Sequence, residues 1–312
     1  MLKRAVHTRR HRFCVSVMRV LPLTPSIGAE IEGADLSHPD DDTIQRIYQT
    51  LMQHLVVFFR DQMLAPVEQV ALARCFGRLR LAERAAFETT DDAPELAVII
   101  HDETHPPNVN HYHTDGIFRR EPEFAALLQA VEVPPLGGDT LWVNLQAAYD
   151  SLDETLKTYV DRHEAENDFM KLHGSTKKAI SWEGDNRARM EAMSRKNPPV
   201  VHPLVRVHPV TGRKSLYLSE SFTTHVIGEP SEHSEEVLNR LFRHYERPEF
   251  QCRFRWQPGS MALWDNRATL HYAVADYWPA RRVMHRVTIE TDAIGDTSAL
   301  RSRWSGGVET ND

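Results

Sequence analysis

Beyond residue 123 short apolar runs dominate the chain, separated by turn signals. The runs fall at 124–133, 140–143, 204–207, 216–218, 251–256, 261–264 and 283–290. Turn signals include Pro134-Pro135, Gly137-Gly138, Thr211-Gly212 and Pro258-Gly259, residues that fix or free the backbone dihedrals a turn needs. Strands that short bury an apolar face only by packing it against a second layer. The pattern therefore predicts a fold that is mainly β with peripheral helices, a sandwich or barrel of jelly-roll type.

The earlier part of the chain supplies two helices. Ile44, Ile47, Tyr48, Leu51 and Leu55 recur at helical spacing, behind Asp41 and Asp42 as cap candidates. Val56-Val57-Phe58-Phe59 reads as a buried strand, 66–76 as a second helix and 96–100 as another strand. A late helix is predicted over about 234–246, with Val237, Leu238, Leu241, Phe242 and Tyr245 on one face. The stretch 165–200 is polar, basic and weakly periodic, which suits a mobile lid or a plain surface insertion equally. Residues 1–17 hold Lys3, Arg4, Arg9, Arg10 and Arg12 and no acid, and read as a disordered tail or an upstream-start extension. One domain is expected over 18–293, followed by a C-terminal tail over 294–312.

Several classes are excluded. No apolar run approaches the roughly 20 residues that cross a bilayer, so no membrane span is expected. A net charge of −7 argues against a nucleic-acid partner. Cys14, Cys75 and Cys252 are scattered and lack metal or disulfide spacing, which favours a reducing, cytoplasmic setting. There is no strand–glycine loop–helix unit for a dinucleotide and no Walker loop.

His113-Thr114-Asp115 is the first chemical signal. In extended chain, residues two apart face the same side, so an imidazole and a carboxylate can share one metal. His271 is the candidate third ligand. Two histidines and a carboxylate on one face leave three positions open, as in non-haem iron(II) oxygenases. Alone, the signal is weak. His38-Pro39-Asp40 and His101-Asp102-Glu103 offer similar patterns among 17 histidines, and a surface histidine bonded to a nearby acid is the bland reading.

The surroundings are more specific. The opening Thr24-Pro25-Ser26-Ile27-Gly28-Ala29-Glu30-Ile31-Glu32-Gly33-Ala34-Asp35-Leu36 is followed by Phe76-Gly77, His113-Thr114-Asp115 and Gly137-Gly138-Asp139-Thr140. Then come His202-Pro203-Leu204, His208-Pro209-Val210-Thr211-Gly212-Arg213 and Trp264-Asp265-Asn266-Arg267-Ala268-Thr269-Leu270-His271-Tyr272-Ala273. Asp276-Tyr277 and Arg281-Arg282-Val283-Met284-His285-Arg286 close the series. In this order, over residues 18–293, the chain resembles the taurine dioxygenase/TfdA family of iron(II)- and 2-oxoglutarate-dependent dioxygenases.

That resemblance implies a double-stranded β-helix core, cupin-like, with His113, Asp115 and His271 as iron ligands and His38 and Asp40 left on the surface. It implies 2-oxoglutarate and O2 as cosubstrates. Arg282, eleven residues past His271, would grip the distal carboxylate with its paired donors, and Thr140 would assist. The implied activity is hydroxylation of a small organic anion, a sulfonate, alkyl sulfate or carboxylate. Oxidative cleavage follows where the hydroxylated carbon bears a leaving group. Self-association as a dimer or tetramer is likewise an implication.

Arg286 matches the position that holds the substrate's anionic group in sulfonate-cleaving relatives, with a structural ion pair as the other reading. His111 would touch substrate or stack beside the motif; Phe222 and Trp264 would line the pocket or serve as core. Ala82, Ala85, Val109, His111, Gly116 and His173 depart from the taurine-specific pattern. Fewer polar partners for an amine, and a small residue at 116, argue against taurine and for a roomier pocket. Two rivals stand beside this reading. One is a biosynthetic dioxygenase acting on an amino-acid-like acid by hydroxylation, desaturation or isonitrile formation; the other binds metal and metabolite without catalysis. The intact ligand set and Arg282 favour catalysis. Asp115 argues against halogenation, in which a halide takes the carboxylate's place.

Overall fold

The computed structural model describes residues 18–83, 88–107, 109–173 and 185–295. Strand alternation builds it. Val57, Phe59, Leu127, Met261, Leu263, Val287 and Ile289 turn to one side, and their neighbours Phe58, Ala126, Leu128, Ala262, Trp264 and Met284 turn to the other. The first set packs against the helices Asp41–His54 and Pro66–Arg74. The second set meets Trp142, Cys252, Phe254 and Trp256, so two sheets close face to face over an aromatic interior. Phe58 and Phe254 stack with centroids 4.1 Å apart, and Trp142 packs edge-on to Phe58 and Trp264.

The major sheet runs in the order Arg19–Pro22, Ala29–Glu32, Val56–Phe59, Met261–Asp265, Ala125–Glu132, Arg282–Ile289, Ala93–His101, Glu88–Thr90. Its pairings are antiparallel except that between Ala29–Glu32 and Val56–Phe59. The minor sheet pairs Thr140–Asn144 with Gln251–Phe254 on one side and Thr269–Ala273 on the other. Its outer face is covered by Leu145–Asp150 and Ser231–Tyr245, whose Leu145, Leu241 and Tyr245 pack with Val143 and Leu270. This is the expected jelly roll with helices at its periphery.

The sequence expectations need some corrections. Asp40, not Asp41 or Asp42, caps the first helix, accepting a hydrogen bond from the Thr43 amide at 2.9 Å. The two following acids sit in the first turn, where the helix dipole favours them. The strand expected at 216–218 runs Lys214–Leu216. A sheet ordered Thr223–Val226, Glu164–Asn167, Val200–Pro203 was not anticipated, and it anchors both ends of the expected lid. Within that stretch lie the helices Phe169–His173 and Asp185–Lys196; residues 174–184 fall outside the described residues. Residues 1–17 and 296–312 also fall outside them, while Ile294, assigned to the tail, packs against the helix-covered core. No helix among the described residues is long and apolar enough to cross a membrane.

Candidate metal and cosubstrate site

The site is assembled by backbone before side chains enter. His113 and His271 form an isolated antiparallel bridge: the His113 amide donates to the His271 carbonyl at 3.0 Å, and the reverse bond is 2.7 Å. His271 in turn sits opposite Trp142 in the minor sheet, so the loop bearing His113 is docked on a sheet edge. The Thr114 hydroxyl donates to the Asn266 carbonyl at 2.8 Å and pins the same loop. Asp115 follows on the same side as His113.

The ligating atoms of His113, Asp115 and His271 all lie within 4.8 Å of one another. No other triad of such residues converges in this way among the described residues. His113 Nδ1 lies 3.0 Å from the His111 carbonyl, to which it donates, leaving the Nε2 lone pair toward Asp115, whose Oδ1 is 3.9 Å away. Burial, then the neighbouring His113, pushes His271 down to about 3, so this imidazole is neutral, as a metal ligand must be. Burial alone would raise the Asp115 carboxyl; Arg286, then His271 and His113, outweigh it and hold it below the ordinary carboxylate range. Asp115 Oδ2 and His271 Nδ1 are buried without a hydrogen-bond partner among the described residues. The neutral His271 imidazole, the His113 imidazole beside it and an anionic carboxylate fit a divalent first-row metal.

Arg282 and Arg286 are brought inward by strand alternation along Arg282–Ile289. Arg282 is only 5% exposed, and among the described residues its Nε has no hydrogen-bond partner and no carboxylate lies within ion-pair distance. A buried guanidinium without an anion is costly, so this one calls for an anionic ligand. Thr140 is buried on the facing sheet, and its hydroxyl oxygen accepts from Trp256 Nε1 at 2.9 Å. With that lone pair engaged, the Thr140 proton remains available to a carboxylate.

The other expected positions divide. Arg286 places Nη1 3.5 Å from Asp115 Oδ1, at the metal-facing carboxylate itself. The His111 ring stands 5.3 Å from that of His113, and its carbonyl orients the same ligand. Trp264 is core and backs His271 with ring centroids 5.0 Å apart. Phe222 is also core, packed with Ile117 and Tyr217 and 4.9 Å from Phe118, beneath the segment that follows Asp115. Val109 is half-buried on the approach to His111, and Ala82 bonds through its amide to the Pro94 carbonyl. His173 ends the short helix Phe169–His173, and Ala85 lies outside the described residues.

Gly116 requires a correction. It does not widen the pocket: a Cβ built there would overlap the carboxylate of Glu123, a buried acid paired with Arg119 at 3.0 Å and Arg80 at 3.2 Å. Its φ of +70° also favours glycine. Gly116→Ala is therefore expected to destabilise the protein by about 1–3 kcal/mol from backbone strain alone. Displacement of Glu123 adds to that, and Glu123→Ala in the same chain relieves the steric part. Denaturant unfolding checks this; a Gly116→Ala protein as stable as the parent sinks it.

One constellation went unread in the sequence although it lies inside the quoted motif. Arg267 donates to both oxygens of Asp265 and to Asp292 Oδ2 at 2.9 Å, Tyr48 donates to the same Asp292 oxygen, and His208 Nε2 lies 3.0 Å from Asp265 Oδ2. The available signal was Asp265-x-Arg267, whose spacing puts both side chains on one side. Its partners are remote in sequence and left no local trace.

A jelly roll carrying two imidazoles and a carboxylate on one face, with a buried arginine free to take an anion, defines a mononuclear non-haem iron oxygenase. A family model described as taurine catabolism dioxygenase TauD, TfdA family matches residues 19–288, and the chain belongs to that family. It is 34% identical to an alkylsulfatase of Acinetobacter baylyi, over 92% of this chain and 89% of that one. It is also 34% identical to an alpha-ketoglutarate-dependent sulfate ester dioxygenase of Pseudomonas putida, over 86% and 88%. The crystal structure of a taurine dioxygenase from Burkholderia xenovorans superposes with a TM-score of 0.76 at 33% identity, covering 94% of this chain and 96% of that one. The protein is thus a 2-oxoglutarate-dependent dioxygenase, using Fe(II), 2-oxoglutarate and O2.

Proposed function

We propose that the chain cleaves an alkyl sulfate by hydroxylating the carbon that bears the ester oxygen. The observation that carries this reading is the Arg286 guanidinium, 3.5 Å from Asp115 and so able to hold a sulfate beside the metal. The sulfate ester names among the relatives, and the loss of polar partners at Ala82 and Val109, support it over taurine. His113, Asp115 and His271 hold the metal from one side. Arg282 and Thr140 take the distal carboxylate of 2-oxoglutarate. Iron with 2-oxoglutarate and O2 supplies the C–H hydroxylation, with carbon dioxide and succinate as coproducts. Arg286 turns the ester-bearing carbon toward that centre. In the product, one carbon carries hydroxyl and sulfate. Its O–H electrons form the carbonyl, the C–O bond to sulfate breaks, sulfate leaves with the electron pair, and the proton passes to water.

A panel of alkyl sulfates, alkyl sulfonates, phenoxyacids, amino acids and taurine, read by succinate and sulfate release, tests this. Alkyl sulfates are expected to give the highest kcat/KM; preference for taurine or an amino acid overturns the proposal. Arg286→Ala is expected to raise the KM for the sulfate by about 10- to 100-fold, the loss of one charge-assisted hydrogen bond. Arg286→Lys keeps the charge but not the fork and recovers part of it.

A further inference from the structure

Arg282 has a problem that its role does not solve. At the end of its flexible stem this guanidinium has no acid among the described residues to fix its direction, yet a dicarboxylate is recognised only if the paired donors point correctly. We infer that Tyr277 and His101 are positioning residues that aim Arg282, and so set the affinity for the cosubstrate. The inference rests on the reading of Arg282 given above.

Three observations carry it. The Arg282 guanidinium lies 5.6 Å from the centroid of the Tyr277 ring, a cation–π distance in a buried setting. His101 is the ladder partner of Arg282 across the neighbouring strand, and its Nδ1 is 2.6 Å from the Tyr277 hydroxyl. Gly138, at φ +72°, presses the preceding turn onto both side chains: a Cβ there would lie 3.2 Å from Tyr277 Cδ1 and 3.4 Å from Arg282 Nε. The Gly138 amide donates to Asp276 at 2.8 Å, which locks that turn to the one bearing Tyr277.

The polarity of the chain is set by charge. Burial, then Arg282, pushes His101 down to about 4, so its ring is neutral near pH 7. With the ring proton on Nε2, the neutral His101 accepts at Nδ1, so the phenol donates its proton to His101 and keeps its own oxygen lone pairs for the neighbouring cation. Turned the other way, the hydroxyl proton would oppose Arg282. His101, which looked in the sequence like one more histidine beside an acid, thereby orients the phenol that orients the arginine.

The test is anaerobic calorimetric titration of 2-oxoglutarate into the Mn(II)-loaded protein, alongside steady-state kinetics. Tyr277→Phe keeps the ring and removes the hydroxyl. It is expected to raise Kd and KM for 2-oxoglutarate about five- to tenfold, the value of one partly buried hydrogen bond. The kcat at saturating cosubstrate and the KM for the organic anion stay unchanged. His101→Leu reproduces that effect, the double variant is no worse than either single one, and His101→Gln, which retains an acceptor, restores affinity. Unchanged Kd in Tyr277→Phe, with a large rise in Arg282→Met, overturns the inference and leaves Arg282's role standing. Unchanged Kd in Arg282→Met as well overturns both. Parallel losses in kcat and in the KM for the organic anion mark a merely structural effect and also overturn it.

Discussion

Asp115→Ala is expected to abolish iron-dependent turnover of 2-oxoglutarate, with a loss of about a thousandfold or more. A ligated metal supplies several kcal/mol of stabilisation, and each 1.36 kcal/mol is worth about tenfold in rate. The geometry sharpens the expectation. Asp115 supplies the carboxylate of the three converging side chains, and its Oδ2 has no hydrogen-bond partner among the described residues. Its removal strips the site of its negative charge while leaving two imidazoles and the Arg286 cation facing the same space. Positive charge then repels the incoming metal, so Mn(II) titration is expected to show weaker binding in parallel with lost activity. Asp115→Asn separates the two contributions, because it keeps the shape and an oxygen but not the charge. Undiminished iron-dependent turnover in Asp115→Ala would remove the metal assignment.

Where local chemistry decided the outcome, the sequence could be read. Val56-Val57-Phe58-Phe59 is buried on both faces and showed as an unbroken apolar run, matching the strand Val56–Phe59. The buried face of Ser231–Tyr245 contains the residues its helical spacing had picked out. His113 and Asp115 were legible because two-residue spacing in extended chain has a direct geometric meaning. The misses have a different origin. The strand Thr269–Ala273, which carries His271, has neither a long apolar run nor a clean alternation; its register with Trp142 defines it. Glu164–Asn167 is polar and becomes a strand because it lies between two others. Gly116 was misjudged because a glycine's reason lies in what occupies the space beside it, and Glu123 reaches that space only after the chain turns. Family motifs could name positions there, but not what each side chain faces.

Arg267→Met is expected to be the most destabilising single change outside the metal site. The arginine is 6% exposed and neutralises Asp265 and Asp292, which have no solvent-exposed side-chain surface, while its guanidinium lies 4.2 Å from the Phe124 ring centroid. The cluster joins the first helix through Tyr48, the end of Met261–Asp265, and the segment after the last strand through Asp292. Removing the cation leaves buried carboxylates uncompensated, at a cost of about 3–5 kcal/mol and a fall in Tm on the order of 10 °C. Neutralising the stranded acids, with Asp265→Asn and Asp292→Asn in the same chain, is expected to return part of that loss. The pH dependence has a definite sign. Burial alone would raise Asp265, but Arg267, then His208, hold it well below the usual carboxylate range. Its stabilising contribution is therefore present above the ordinary carboxylate pKa of about 4 and is lost as pH falls through the depressed folded value. Without Arg267 the same acid titrates higher, and protonation relieves the buried charge. The difference in Tm between parent and Arg267→Met should therefore be largest near neutrality and narrow toward pH 4. A gap that stayed constant, or widened on acidification, would show that charge compensation is not what the arginine contributes.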